Sequence, residues 1–167
     1  MLSGALIIDK PKGLTSHDVV RKTRRALGMR KVGHAGTLDP MATGVLVVLV
    51  GEGTKLVPFL TADDKRYRAG VSFGRSTDTL DAEGETTAEA PLPAWWPDRD
   101  RIEAALAQER ARTSQAPPIY SAIKIGGKSA HARVRAGEQV ELAPRPVRVR
   151  ELSLASEPSE HGTIDLS

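Results

Sequence analysis

The residues best suited to chemistry in this 167-residue chain lie in one stretch, Gly33-His34-Ala35-Gly36-Thr37-Leu38-Asp39-Pro40-Met41-Ala42-Thr43-Gly44. Its three glycines and one proline impose an unusual backbone path. They hold a single carboxylate, Asp39, just before Pro40. The wholly apolar run Val45 to Val50 follows and should root the end of the loop in the core. Rigid loops on buried strands are where catalytic side chains tend to sit. A carboxylate placed there can attack or stabilise an electron-poor carbon. An Asp-Pro pair also caps ordinary turns, so the loop alone marks a place for chemistry without naming a reaction.

Other chemistries have less support. The absence of cysteine removes disulfide scaffolds, thiol catalysis and the common cysteine-containing zinc sites, and it fits a cytoplasmic protein. His17, His34, His131 and His161 are not at metal-ligand spacing. Neither a P-loop nor a dinucleotide fingerprint occurs. The longest apolar run is the six residues from Val45 to Val50, where a membrane span needs ~20. No basic-then-apolar signal segment opens the chain, because Leu6 to Ile8 gives way to Asp9, Lys10 and Pro11. Membrane and secretory classes are therefore not expected.

The elements that must position the loop follow from periodicity and punctuation. A strand is predicted over 5–9, then a turn through Lys10-Pro11-Lys12-Gly13. Ser16 is expected to cap a helix whose apolar positions are Val19, Val20, Thr23, Ala26 and Leu27, closed by Gly28. Residues 33–43 read as loop, 44–50 as a buried strand and 54–60 as a short helix. A half-exposed strand is expected over 65–74, with Tyr67, Ala69, Val71 and Phe73 on one side. Residues 83–100 read as an irregular loop, with Trp95 and Trp96 pinning it among Pro91, Pro93 and Pro97. Then come an amphipathic helix over 99–108, a strand over 119–125, a helix over 129–136, a strand over 147–154 and the start of a strand at 163–167. Strands and helices do not alternate regularly, so the fold class is α+β. The length suits one compact domain, or two small ones, at ~150 residues per domain.

Charge is unevenly spread. Residues 1–60 carry nine Lys/Arg against four Asp/Glu, a net of 9 − 4 = +5. Residues 61–100 carry five against nine, a net of −4, and residues 120–150 carry seven against two. Two basic stretches around an acidic one suit a face for a polyanion, although solvated helix faces give the same pattern.

The loop, preceded by Lys10-Pro11-Lys12-Gly13-Leu14-Thr15-Ser16, resembles the bacterial tRNA pseudouridine synthase B family. The resemblance continues through Lys65-Arg66-Tyr67 and Ser76-Thr77-Asp78-Thr79-Leu80-Asp81-Ala82-Glu83-Gly84. It returns at Gln115-Ala116-Pro117-Pro118-Ile119-Tyr120-Ser121-Ala122-Ile123-Lys124 and at Arg133-Val134-Arg135-Ala136-Gly137. Four blocks in the family's order and spacing cover nearly the whole chain.

That resemblance implies a pseudouridine-synthase-like catalytic domain over 1–167, with a mixed, mainly antiparallel sheet and flanking helices. It implies isomerisation of the uridine at position 55 in the T-loop of tRNA, with no cofactor and no metal, by a monomer. The carboxylate of Asp39 would act at the ribose C1′ of a flipped-out base. Arg135 would keep Asp39 ionised. Tyr67 would stack on the target base, and His34 would fill the space the base leaves. Lys10, Pro11, Gly36, Thr37 and Leu38 would support the site. Arg21, Lys22, Arg24, Arg25, Arg30, Lys31, Lys124 and Lys128 are candidate phosphate contacts.

Three departures from the family pattern stand out. His131 occupies a position where the family commonly has an aromatic residue. Glu109 and Ala111 align where Phe and Gly are usual, which implies local exposure or a shifted alignment. The family also continues beyond Ser167 with a strand, a helix and a small RNA-binding domain, so the chain is expected to be an incomplete catalytic domain. A T-arm-binding module without catalysis is the alternative reading. A nucleoside glycosidase is disfavoured because no second convincing acid lies near Asp39 in sequence.

Overall fold

The computed structural model describes residues 2–62, 64–117, 124–129, 133 and 136–167, with the backbone alone at 124, 125, 128 and 129. The chain forms two compact units, residues 1–65 and 66–167. Every strand pair among the described residues is antiparallel. This agrees with the α+β expectation. No helix among the described residues is long and apolar enough to cross a membrane.

The first unit is a three-stranded sheet with one long helix against it. Strand β1 (Gly4–Lys10) and strand β2 (Val32–Ala35) flank β3 (Gly44–Val50), in the order β1-β3-β2. A central strand needs apolar groups on both faces, which accounts for the unbroken valine and leucine run of β3. Leu46, Val48, Leu49 and Val50 are buried, whereas Val45 at the rim is 67% exposed, contrary to the expectation of a fully buried strand. Helix α1 (Ser16–Leu27) places Val19 and Val20 against Val32, Leu46, Val48 and Val50. Ala26 and Leu27, expected on the same face, are exposed, because the buried face of α1 ends at Thr23.

The start of α1 differs from expectation by one residue. Thr15, not Ser16, is the N-cap: its hydroxyl accepts from the Asp18 amide at 3.0 Å, and Asp18 Oδ2 accepts from the Thr15 amide at 3.0 Å. This reciprocal pair is a capping box. Gly28 closes the helix in the left-handed conformation, as expected. Beyond β3, a 3-10 turn over Gly51–Leu56 leads into α2 (Val57–Thr61), in place of the single helix predicted over 54–60.

In the second unit, β4 (Ala69–Ser72) pairs with β11 (Thr163–Leu166). Helix α3 (Arg99–Arg110) buries Ile102 and Leu106 with Ile164, and Val71, Trp96, Leu152, Leu154 and Leu166 pack around them. Trp96 sits 5.0 Å from Phe73 between ring centroids, and its Nε1 donates to the Ser159 carbonyl at 2.8 Å. The tryptophan thus pins its loop, as the sequence suggested. Strand β4 is shorter than the predicted 65–74, because its pairing with β11 spans Ala69 to Ser72. Within the expected loop 83–100 lies strand β6 (Thr86–Glu89), paired with β5 (Arg75–Thr77).

Two short pairs complete the described elements. Strand β7 (Ser114–Gln115) pairs with β10 (Arg145–Pro146), and β8 (Lys124–Ile125) pairs with β9 (Lys128–Ser129). Ser129 is therefore in a hairpin rather than at the start of a helix. The predicted strand 147–154 does not form. Residues 153–155 instead bond to Asp165 and Ser167 along one side of β11. Glu109 is exposed and bridges Arg112 at 2.6 Å, so its charge is explained by local exposure.

Candidate active site

Asp39 is exposed, yet the residues on either side of it are fixed. Before it, the Leu38 side chain packs on the cluster of Val19, Val20, Val32, Leu46, Val48 and Val50. The Leu38 amide donates to Ser16 Oγ at 2.9 Å, and Ser16 Oγ donates to the Leu38 carbonyl at 3.2 Å. After it, the Pro40 carbonyl accepts from the Gly13 amide at 2.7 Å and from Lys10 Nζ at 3.4 Å. The Asp39 carbonyl accepts from the Ala42 amide at 3.1 Å, closing a turn. The ends of the loop lie at Gly36 (φ +95°) and Gly44 (φ +123°), conformations that residues with a Cβ rarely adopt.

Lys10 supports this site from beneath. It is fully buried, and its ammonium donates to the carbonyls of Pro11 at 3.1 Å and Leu14 at 2.7 Å besides Pro40. Its partners are carbonyl oxygens rather than a carboxylate. A buried cation held this way ties the end of β1, the turn after it and the Asp39 loop to one point.

The other expected residues sort by their partners. His34, expected in a loop, lies on β2 opposite Val48. The strand extends this far because Val32 is buried beside Val50 and sets the alternation. The His34 ring is half-buried, and its Nδ1 lies 2.5 Å from the Gly36 carbonyl, so this nitrogen carries the proton. Thr37 is exposed. Arg24 donates to the Val32 carbonyl at 2.8 Å and so braces α1 against β2. Arg21 pairs with Asp18 and Lys31 with Glu52, each at 2.5 Å. Lys22, Arg25 and Arg30 are exposed and have no ion pair among the described residues. Lys124 and Lys128 belong to the β8–β9 hairpin. Arg135 and His131 lie outside the described residues.

Tyr67 belongs to the second unit and is 61% exposed, ahead of β4 rather than in it. The same unit has a recess of about 320 Å³ lined by Gly70, Val71, Arg75, Thr77, Leu80 and Asp81, among others. The turn at its rim is tightly bonded. Asp81 Oδ1 accepts from Thr79 Oγ1 at 2.7 Å and from the Glu83 amide at 2.9 Å. The Thr79 hydroxyl first, then the Glu83 amide, holds the Asp81 carboxyl below its ordinary range. Leu80 is forced to φ 62° and is 76% exposed, the kind of local strain that gathers at functional sites. Sequence reading passed over Ser16 as a loop anchor and Asp81 as an ordered carboxylate. The second had a signal, since Asp78, Thr79 and Asp81 around a tight turn are residues that bond their own backbone.

The comparisons with known proteins agree with this architecture. The family described as TruB family pseudouridylate synthase (N terminal domain) matches residues 24–167. A tRNA pseudouridine synthase B of Thermus thermophilus is 53% identical over 157 residues, covering 92% of this chain and 49% of that protein. One from Nocardia farcinica is 49% identical over 165 residues, covering 99% of this chain and 53% of that protein. The chain thus spans about half the length of the curated relatives it matches. Among solved structures, a chain of a Cbf5-Nop10-Gar1 complex superposes with TM-score 0.65 at 25% identity, over 98% of this chain and 38% of that one. A chain of an H/ACA RNP bound to a substrate RNA containing 2′-deoxyuridine gives TM-score 0.60 at 23% identity, over 98% and 36%, and shares the fold. With the family match extending over most of its length, the chain belongs to the TruB family of pseudouridylate synthases, in the part described as the N-terminal domain.

Proposed function

We propose that the chain is the N-terminal part of the catalytic domain of an enzyme that converts uridine 55 in the T-loop of tRNA to pseudouridine. The observation that supports this reading most is the Asp39 loop: an exposed carboxylate between two backbone positions anchored to buried groups. Such preorganisation suits a carboxylate that must meet one carbon of a bound substrate. In the reaction the bond from uracil N1 to ribose C1′ breaks, the base turns, and C5 bonds to C1′. The C5 hydrogen leaves as a proton and N1 gains one, so the exchange balances without an oxidant or a cofactor. Asp39 acts at C1′, either by attack or by assisting glycal formation. The base is flipped out of the T-loop, Tyr67 stacks on it, and His34 occupies the vacated place. Lys22, Arg25 and Arg30 carry the positive charge that is free to meet phosphates. The proposed partner is the T-arm stem-loop, bound by a cytoplasmic monomer.

Tritium release from a T-arm stem-loop labelled at C5 of its uridines tests the proposal. Wild type should release tritium, and Asp39→Asn should lose at least about 10³-fold in rate while still binding the RNA. Wild type that binds in a salt-sensitive manner but releases nothing would instead support an RNA-binding module. The cations Lys22 and Arg25 of α1, which have no ion pair among the described residues, support that second reading.

A further inference from the structure

Two neighbouring hydroxyls at the start of α1 do different work. Thr15 turns inward to its own helix, bonding Asp18 in the capping box. Ser16, 2% exposed, turns away from the helix and bonds both the amide and the carbonyl of Leu38, which is 22 residues on. We propose that Ser16 is a positioning residue for Asp39: its hydroxyl completes the hydrogen bonding of Leu38 as a neighbouring strand would, and so fixes the carboxylate that follows.

The geometry carries the argument. A peptide unit is planar, so the Leu38 carbonyl shares its plane with the Asp39 nitrogen and Cα. Holding that carbonyl fixes where the Asp39 backbone begins. On the far side, Pro40 is held by Gly13 and Lys10, and the Asp39 carbonyl closes a turn on Ala42. Between these anchors, the side-chain rotation of Asp39 is the freedom that remains. Of these anchors, Ser16 is the one that reaches Leu38 through a side-chain hydroxyl, which can be removed without altering the chain path. Its removal strands two backbone groups that the loop cannot pair within itself. A shift of about 1 Å in a reacting group is enough to cost about 10²-fold in rate.

This inference rests on Asp39 being the reacting carboxylate, and the experiment separates the two ideas. In the 167-residue protein, Ser16→Ala, Ser16→Thr and Thr15→Ala are compared with wild type. The readouts are tritium release from the C5-labelled T-arm stem-loop and hydrogen exchange at the Leu38 amide. Ser16→Ala should lower kcat by about 10-fold to 10²-fold with KM for the RNA unchanged, and should lose protection of the Leu38 amide. Ser16→Thr, which keeps the hydroxyl, should recover most of both. Thr15→Ala should lower the melting temperature and leave kcat and Leu38 protection alone. Wild-type kcat in Ser16→Ala overturns the proposal, as does an equal loss in Thr15→Ala, which would place the effect in helix-end stability. If Ser16→Ala does not fold, Ser16→Cys keeps the volume with weaker bonding and must show the same split; a wild-type kcat there also overturns the proposal. Should wild type release no tritium, the isomerase reading fails for this chain, and Leu38 exchange still decides whether Ser16 holds the loop.

Discussion

Asp39 and Tyr67 are both exposed residues of the proposed reaction, but their surroundings differ. Asp39 sits in a segment whose neighbours reach across 22 and 30 residues to buried partners, Ser16 and Lys10. Tyr67 sits in the segment just before β4, where Arg66 meets Glu151 at 3.5 Å with both side chains at least 80% exposed. A bridge of that kind contributes about 0–1 kcal/mol. Exposure therefore means different things in the two units. In the first, the carboxylate is bare because the fold presents it. In the second, the ring is bare because nothing in the described structure holds it.

Lys10→Met is the strongest way to break this contrast. It leaves the Pro11 and Leu14 carbonyls without their donor inside the first unit and should destabilise the protein by about 2–3 kcal/mol. Urea unfolding measures the loss, and a change under 0.5 kcal/mol would mean that the buried ammonium is not what ties the loop down. Tyr67→Ala should do the opposite. With the ring 61% exposed, stability should move by less than about 0.5 kcal/mol. Tritium release should fall by about 10²-fold if the ring acts on the base. A large stability loss in Tyr67→Ala would show that the second segment is as firmly held as the first.

The cations of α1 allow a finer test within the first unit. Arg24 is tied to the Val32 carbonyl, whereas Lys22 and Arg25 are exposed and have no ion pair among the described residues. The double substitution Lys22→Ala/Arg25→Ala should leave the melting temperature unchanged. It should also lower the slope of log binding constant against log salt by about 1–2 if these groups meet phosphates. Arg24→Ala should instead cost about 1 kcal/mol of stability, since the lost bond is internal. Equal salt slopes in all three proteins would remove α1 from the RNA-binding surface.

What could be read from the sequence follows the same division. Helices α1 and α3 and strands β1, β3 and β11 were legible because local periodicity and apolar content point to one answer. Strands β2 and β6 were not: Gly33-His34-Ala35 and Thr86-Thr87-Ala88 have weak alternation, and the pairing partner decides the conformation. The alternating Val147-Arg148-Val149-Arg150 looked like a strand, but among the described residues it joins no sheet. The N-cap was legible after all, since Asp18 lies three residues after Thr15, the capping-box spacing. Asp39 stood out by its glycines and by resemblance. Its anchors did not, because a serine that bonds a loop 22 residues away has no local signature.

The smallest expected effect concerns acid, and it compares one carboxylate from each unit. Asp18 is held below its ordinary value of 3.8 chiefly by the Thr15 hydroxyl, then by the Thr15 amide. Asp81 is held below the same value chiefly by the Thr79 hydroxyl, then by the Glu83 amide. In both, the ionised form is the better acceptor, so folding favours proton loss. A carboxyl whose value is lowered by folding contributes stability that is fully present above its unfolded value. That contribution is lost as the pH falls through the lower, folded value. The stability gap between wild type and Asp18→Ala should therefore be constant near neutral pH and close only below pH 3.8, as should the gap for Asp81→Ala. Chemical denaturation at a series of acid pH values would follow both gaps. The Asp18 gap reports the helix end beside Ser16, and the Asp81 gap reports the strained turn at Leu80. A gap at Asp81 that stays open below its folded value would mean that its side-chain bonds to the Thr79 hydroxyl and the Glu83 amide survive protonation, so that hydrogen bonding rather than charge holds the turn.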